Sequence, residues 1–337
     1  MEKGLLPFAL EHERLNAVTR SMEYRGDEPL EAWQAKAREK LTELLGLPYE
    51  KCDPLFEVEY RDETEDFYET RFTFQTERDC FAPAHFLVPK HSPYEKPPVM
   101  ICLQGHSTGM HISLGRVKYP GDKEDGDRNF APVAVSHGFC AVALEQRCFG
   151  ERGGTPRPDC YSASMTALLS GRTTIGGRVW DISRLIDLLE TEFADVCDPS
   201  RVYCCGNSGG GTATFYAAAL EPRIRGAIPS CAFCTFADSI GAMYHCACNY
   251  VPRIRQYFDM AELAGMVAPR PLVIVSGLKD DIFPLTGAQS EFERVKNTYY
   301  AHSAAPENAA HVIGPEGHRF YAAPAWERFL SIVNKSE

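Results

Sequence analysis

The chain has 337 residues, 44% hydrophobic and 24% charged, which suits one large α/β domain or two small ones with an ordinary core and excludes a disordered or fibrous protein. A formal net charge of −11 opposes binding to nucleic acid or to an anionic membrane, and no stretch is long and apolar enough for a membrane span. The 13 cysteines, an odd number scattered along the chain, fit buried thiols in a reducing compartment, and without a secretory leader pattern they point to the cytoplasm.

Residues 1–50 read as a polar helical extension, ending in a helix that Gly46 and Pro48 terminate, and residues 51–337 as the catalytic domain. From residue 55 the period changes. Phe56-Glu-Val-Glu-Tyr60 and Arg71-Phe-Thr-Phe-Gln75 alternate apolar with polar residues, as antiparallel edge strands do, and Ala84-His-Phe-Leu-Val-Pro89 is the next strand. Short, nearly continuous apolar runs follow: Val99-Met-Ile-Cys-Leu103, Cys140-Ala-Val-Ala-Leu144, Val202-Tyr-Cys-Cys205, Gly226-Ala-Ile-Pro229 and Leu272-Val-Ile-Val-Ser276. Such runs suit strands buried on both faces of a parallel sheet. Helical patterns over residues 180–193 and 212–220 supply crossovers, so the expected fold is α/β, a mostly parallel doubly wound sheet with antiparallel N-terminal strands. The polar stretch 121–128 reads as a solvated loop.

Gly206-Asn207-Ser208-Gly209-Gly210 lies between an apolar strand and a helix. A G-x-S-x-G turn in that context holds its serine on a strained elbow with Oγ clear of the sheet, which makes Ser208 the candidate nucleophile. An acid and then a histidine should follow in the chain. The turn after the strand ending at Ser276 carries Asp280 and its competitor Asp281; Asp280, three residues after Gly277, is the expected acid. Near the C-terminus, His311 opens an apolar run and reads as a strand residue. His318 follows the turn Gly314-Pro-Glu-Gly317 and is the expected base. The oxyanion hole is expected from the backbone N–H of Gly209 and, after Leu103-Gln104-Gly105, that of His106, with Gln104 a weaker choice. Segments 110–129 and 232–257 are long enough to shape a pocket.

Cys231-Ala-Phe-Cys234 and Cys246-Ala-Cys248 could in principle supply four zinc thiolates, but Cys-x-Cys is an unusual half-site and the surroundings are apolar. Buried thiols are the preferred reading, so neither metal nor organic cofactor is expected.

Leu103-Gln-Gly-His-Ser-Thr-Gly-Met-His-Ile-Ser113, Glu145-Gln-Arg-Cys-Phe-Gly-Glu-Arg152, Val179-Trp-Asp181, Gly206-Asn-Ser-Gly-Gly-Gly211, His245-Cys-Ala-Cys-Asn-Tyr250, Gly277-Leu-Lys-Asp280 and Gly317-His318 together resemble the prokaryotic acetyl xylan esterase-like and dienelactone hydrolase-like branch of the α/β-hydrolases. The resemblance runs from the helix ending at Pro48 to the final helix. It implies the same Ser208, Asp280 and His318, and a small acyl group such as acetyl. Glu145 and Asp281 depart from a pattern that often has aspartate and proline there. The dienelactone hydrolases proper have a cysteine nucleophile, whereas serine points to ester hydrolysis. A small-molecule ester is the expected partner. Many esterases of this kind self-associate, so a homo-oligomer is allowed, although the sequence points to no interface. The alternatives are a prolyl oligopeptidase-like peptidase, whose repetitive propeller has no room here, and a non-catalytic hydrolase-like binding protein.

Overall fold

The computed structural model describes residues 6–122, 126–153 and 159–336. Helices α1 (Pro7–Ala17) and α2 (Leu30–Leu45) precede strands β1 (Glu57–Glu63), β2 (Phe67–Glu77), β3 (Cys80–Pro89) and β4 (Pro98–Leu103). Then come α3 (Phe130–Ser136), β5 (Cys140–Leu144), α4 (Cys160–Leu169), α5 (Thr174–Glu192), β6 (Asp198–Asn207), α6 (Gly209–Leu220) and β7 (Ile224–Ser230). The chain closes with α7 (Met260–Gly265), β8 (Leu272–Gly277), α8 (Leu285–Arg294), β9 (Ala309–Gly314) and α9 (Ala322–Ser336). Among the described residues, no helix is long and apolar enough to cross a membrane.

One nine-stranded sheet runs in the order β1-β2-β3-β5-β4-β6-β7-β8-β9. The pairs β1–β2, β2–β3 and β3–β5 are antiparallel and the rest parallel. The apolar runs behave as two-sided strands because successive side chains point to opposite faces. Val99, Ile101 and Leu103 join one core with α2, α5, α6 and α7, whereas Met100 and Cys102 join a second core with α3 and α9. Leu272 and Ile274 face the first core and Val273 and Val275 the second. Each fully buried aliphatic side chain of this kind contributes roughly 1.5–3 kcal/mol.

Two expectations from the sequence need adjustment. Of the two strands read as edges only β1 is one; β2 pairs on both sides and is largely buried, its alternation reflecting two environments rather than solvent on one side. Helix α5 starts six residues before the expected 180, because the Thr173 hydroxyl caps it by accepting from Gly176 N at 3.0 Å and packing carries the helix through Gly176-Gly177. His311, read as a strand residue, lies in β9. Helix α2 buries Leu30, Trp33, Ala37, Leu41, Leu44 and Leu45 and ends at Gly46 with φ 72°. Its Gln34 Nε2 donates to the carbonyls of Gly265 (2.8 Å) and Ala268 (2.6 Å), so α2 is part of the main core.

The chain steps from β4 outward to β5, then back across β4 to β6. Loops leaving the carboxyl ends of β4 and β6 therefore diverge there and leave a crevice, the usual ligand position in an open α/β sheet. Gln104 to Ser107 leave β4 at this point, and Ser208 leaves β6.

Candidate active site

Ser208 occupies the one-residue turn between β6 and α6, with φ 55° and ψ −122°. Non-glycine residues avoid this region at a cost of about 1–3 kcal/mol, and here the surroundings hold it. Ser208 N donates to Ser230 O (2.8 Å), its carbonyl accepts from Thr212 N (2.8 Å), and Ser230 Oγ donates to Asn207 Oδ1 (2.8 Å). The glycines of the motif let three backbones meet: a Cβ on Gly210 would lie 2.1 Å from Leu103 O, and one on Gly206 2.6 Å from Gly210 C. The twelve-residue α6 begins immediately after Ser208 and directs its N-terminal N–H groups toward the crevice.

Asp280 leaves β8 and His318 follows β9, so neighbouring parallel strands carry both side chains to the same sheet end as Ser208. Asp280 Oδ2 accepts from His318 Nδ1 at 2.9 Å, and its Oδ1 accepts from the N–H groups of Ile282 (2.9 Å) and Phe283 (3.0 Å). Burial alone would raise the Asp280 pKa, but His318 and these two N–H groups outweigh it and hold the carboxyl below its ordinary value. The Phe283 ring stacks on the imidazole with centroids 6.0 Å apart. His318 Nε2 is buried without a hydrogen-bond partner, and His318 lines the same cavity of about 90 Å³ as Ser208. No hydrogen bond joins Ser208 Oγ to His318 Nε2 in this state, among the described residues. Asp281 is exposed. His311 stays in β9, hydrogen-bonded through Nε2 to Ser276 Oγ at 2.9 Å, and burial lowers its pKa to about 4.

Gly105 and His106 line that cavity too. A Cβ on Gly105 would sit 3.1 Å from Ser208 Cβ, so the backbone after β4 runs directly beside the elbow. The Gln104 side chain turns away: its Nε2 donates to Glu145 Oε1 at 2.7 Å, and Gln146 Nε2 donates to its carbonyl at 2.6 Å. Arg147 (to Asp181 Oδ1, 2.7 Å) and Arg152 (to Asp181 Oδ2, 2.6 Å) converge on a fully buried carboxylate that ties the loop after β5 to α5. These interactions hold the second wall of the crevice.

Sequence reasoning pointed to segment 110–129 as pocket-shaping but singled out none of its residues, and it did not place Asn207 or Phe130 at the cavity. Arg128, Ile112, Phe130 and Asn207 reach the cavity. Arg128 closes the stretch 121–128 read above as solvated loop; residues 123–125 of it lie outside the described residues. A lone arginine after a polar run carries no local signal, and only the β4–α3 connection brings it to Ser208. Cys231 is a second miss: its Sγ lies within 4.8 Å of ligand atoms of Asp280 and His318, and donates to Arg319 O at 3.3 Å. The two cysteine pairs are also separated. Cys234 Sγ contacts Pro284 O at 3.5 Å, whereas Cys246 and Cys248 stand beside His106, whose Nε2 is 3.2 Å from Cys248 Sγ. The four-cysteine grouping considered from spacing is not assembled.

No family model matches the chain. The putative hydrolase YtaP of Bacillus subtilis is 26% identical over 290 residues, covering 85% of this chain and 94% of that protein. Among solved structures, a putative acetyl xylan esterase from Bacteroides fragilis superposes with a TM-score of 0.77 at 16% identity, covering 98% of this chain and 90% of that one. A glucuronoyl esterase from Solibacter usitatus gives a TM-score of 0.65 at 14% identity, covering 95% and 98%. Sheet order, crossovers and these superpositions agree: the chain has the α/β-hydrolase fold.

Proposed function

We propose that the chain is a serine carboxylesterase that hydrolyses short-chain acyl esters, acetyl esters first among them, by a two-step acyl transfer. The observation that carries this reading is His318, held through Nδ1 by Asp280 and presenting an unpartnered Nε2 to the cavity that Ser208 also lines. As Ser208 Oγ attacks the ester carbonyl, His318 Nε2 takes its proton, and Asp280 keeps the imidazole in the required tautomer and stabilises its charged form. The hydroxyl rotor closes the missing hydrogen bond when substrate binds, a common tightening at such sites. The N–H groups of Gly209 and His106 receive the developing oxyanion, aided by the N-terminus of α6. The alcohol departs with the proton from His318, and water, deprotonated by the same imidazole, releases the acid.

A cavity of about 90 Å³ supports a small acyl group, being well under the roughly 300 Å³ at the lower end of drug-sized ligand sites. The esterase names of the structural neighbours support the same bond type. None of the thirteen cysteines is joined in a disulfide, which supports a reducing compartment such as the cytoplasm. Hydrolysis of p-nitrophenyl acetate, butyrate and octanoate by wild type and Ser208→Ala tests the reading. Acetate turnover that declines with chain length and is lost in the variant is expected. Equal rates in wild type and variant would refute it.

A further inference from the structure

A second cluster of reactive side chains lies behind the oxyanion turn, and none of these side chains takes a chemical step in the proposed acyl transfer. His106 comes from the loop after β4, Cys160 from the first position of α4, and Cys246 and Cys248 from the long connection between β7 and α7. Three segments distant in sequence thus deliver one imidazole nitrogen and three sulfurs whose ligand atoms all lie within 4.8 Å of one another. His106 Nε2 is 3.2 Å from Cys248 Sγ, and Cys248 Sγ is 3.3 Å from Cys246 Sγ. Cys160 and Cys248 are buried, Cys246 is half-buried, and His106 is exposed.

We propose that His106, Cys160, Cys246 and Cys248 bind one zinc ion in a closed tetrahedral site against the oxyanion turn. Zinc bonds of about 2.3 Å to sulfur and 2.0–2.1 Å to nitrogen set the ligand atoms about 3.5–3.8 Å apart. The observed 3.2 and 3.3 Å contacts open by about half an ångström to meet that edge, and the widest pairs close by about one. Three thiolates and an imidazole suit zinc over the hard cations, and with all four positions filled by protein the site is structural.

An independent observation points to negative charge at this spot. Arg178 of α5 is 1% exposed. Its Nη1 donates to Cys248 Sγ and its Nη2 to Cys160 Sγ, both at 3.5 Å, while Nε and Nη2 also reach Arg147 O at 3.2 and 3.0 Å. The guanidinium stacks over Phe149 at 4.2 Å. No carboxylate pairs with it among the described residues; the groups around it are Cys248, Cys160, Cys148 and Cys246, with the His106 imidazole nearby. With neutral thiols and one backbone carbonyl as its partners, the buried guanidinium would be an uncompensated charge, costing several kcal/mol. Three thiolates on a divalent ion leave a net charge of about −1, which Arg178 matches. Neutral packed thiols, or a disulfide between Cys246 and Cys248, would supply no such counter-charge. On binding, the thiol protons pass to solvent and no electrons move.

The claim of metal binding stands apart from the proposed esterase activity. Only its consequence rests on that reading: with its side chain on the ion, His106 holds its own backbone N–H beside Ser208, so the metal acts as a positioning element for the oxyanion turn.

The experiment is metal analysis of the full chain purified under reducing conditions after growth with zinc, by inductively coupled plasma mass spectrometry. Wild type is expected to carry about one zinc per chain, and Cys246→Ser/Cys248→Ser less than a tenth of that, with Cys52→Ser unchanged. Should the double variant fold poorly by circular dichroism, wild type alone still decides. Titration with a mercurial should release zinc in step with thiol modification, and cobalt substitution should give a thiolate-to-cobalt charge-transfer band. Wild type without zinc, even after incubation with it, and without that band would overturn the site. So would a folded double variant that keeps its metal. Because these readouts involve no ester, failure of the metal site and failure of the esterase reading are told apart.

Discussion

Replacing Asp280 by asparagine isolates one atom of the proposed machinery. The Oδ1 position is held by two backbone donors, Ile282 N at 2.9 Å and Phe283 N at 3.0 Å. An asparagine must keep its carbonyl oxygen there, so its NH₂ group faces His318 Nδ1 where Oδ2 now accepts at 2.9 Å. Two donors cannot share that contact. The imidazole is driven to the tautomer with its proton on Nε2, the nitrogen that must receive the Ser208 proton. Loss of the correct tautomer reduces kcat by about 10³–10⁴-fold in serine hydrolases of this logic. That is about 4–5.5 kcal/mol in the barrier. Steady-state hydrolysis of p-nitrophenyl acetate should show this loss mainly in kcat, with Asp281→Asn, at an exposed position, within about twofold of wild type. Asp280 itself should not limit activity at mildly acidic pH. Its folded pKa is depressed, so its stabilising interaction with His318 is present above the unfolded carboxylate pKa and is lost only as pH falls through the lower folded value. An Asp280→Asn enzyme retaining more than a tenth of wild-type kcat, or an equal loss in Asp281→Asn, would refute the reasoning.

Three further outcomes follow from the packing. Gly210→Ala puts a methyl 2.1 Å from Leu103 O, a backbone atom that cannot swing aside, so thermal melting should show a loss of about 3 kcal/mol or failure to fold. Asp181→Asn leaves Arg147 and Arg152 with much less compensation, and urea denaturation should register a loss of about 3–5 kcal/mol. His311 is lowered to about 4 by burial, so the unfolded chain takes up its proton first; this contribution to stability is full above about pH 6.5 and falls by about 2 kcal/mol by pH 5. Urea midpoints at pH 7.5 and 5.0 should show that drop in wild type and a smaller one in His311→Gln.

The elements with a strong local period were legible without coordinates. Five apolar runs became the parallel strands β4 to β8, because a strand buried on both faces needs apolar residues at every position. Gly206, Ser208 and Gly210 likewise declared themselves, since a strand-to-helix elbow tolerates few residue types at those positions. Where the signal was tertiary, the sequence misled or was silent. The helical pattern was legible only from residue 180, and the cap at Thr173 and packing carry α5 back through Gly176-Gly177 to Thr174. The edge character assigned to β2 disappeared once β3 paired with its other side.

What the sequence by itself determined is the list of chemical parts and their order: a serine on an elbow, an acid after one strand, a histidine after the next, thiols in plenty. Each depends on short-range rules of turn geometry and strand period. Tertiary structure alone decided which parts meet. It turned Asp280 rather than Asp281 toward His318, brought Arg128 to the crevice, and sent Cys231 and Cys234 away from Cys246 and Cys248 while joining the latter two to Cys160 and His106. Those choices depend on where the sheet reverses its winding between β4 and β6, a property of all nine strands together that no single segment encodes.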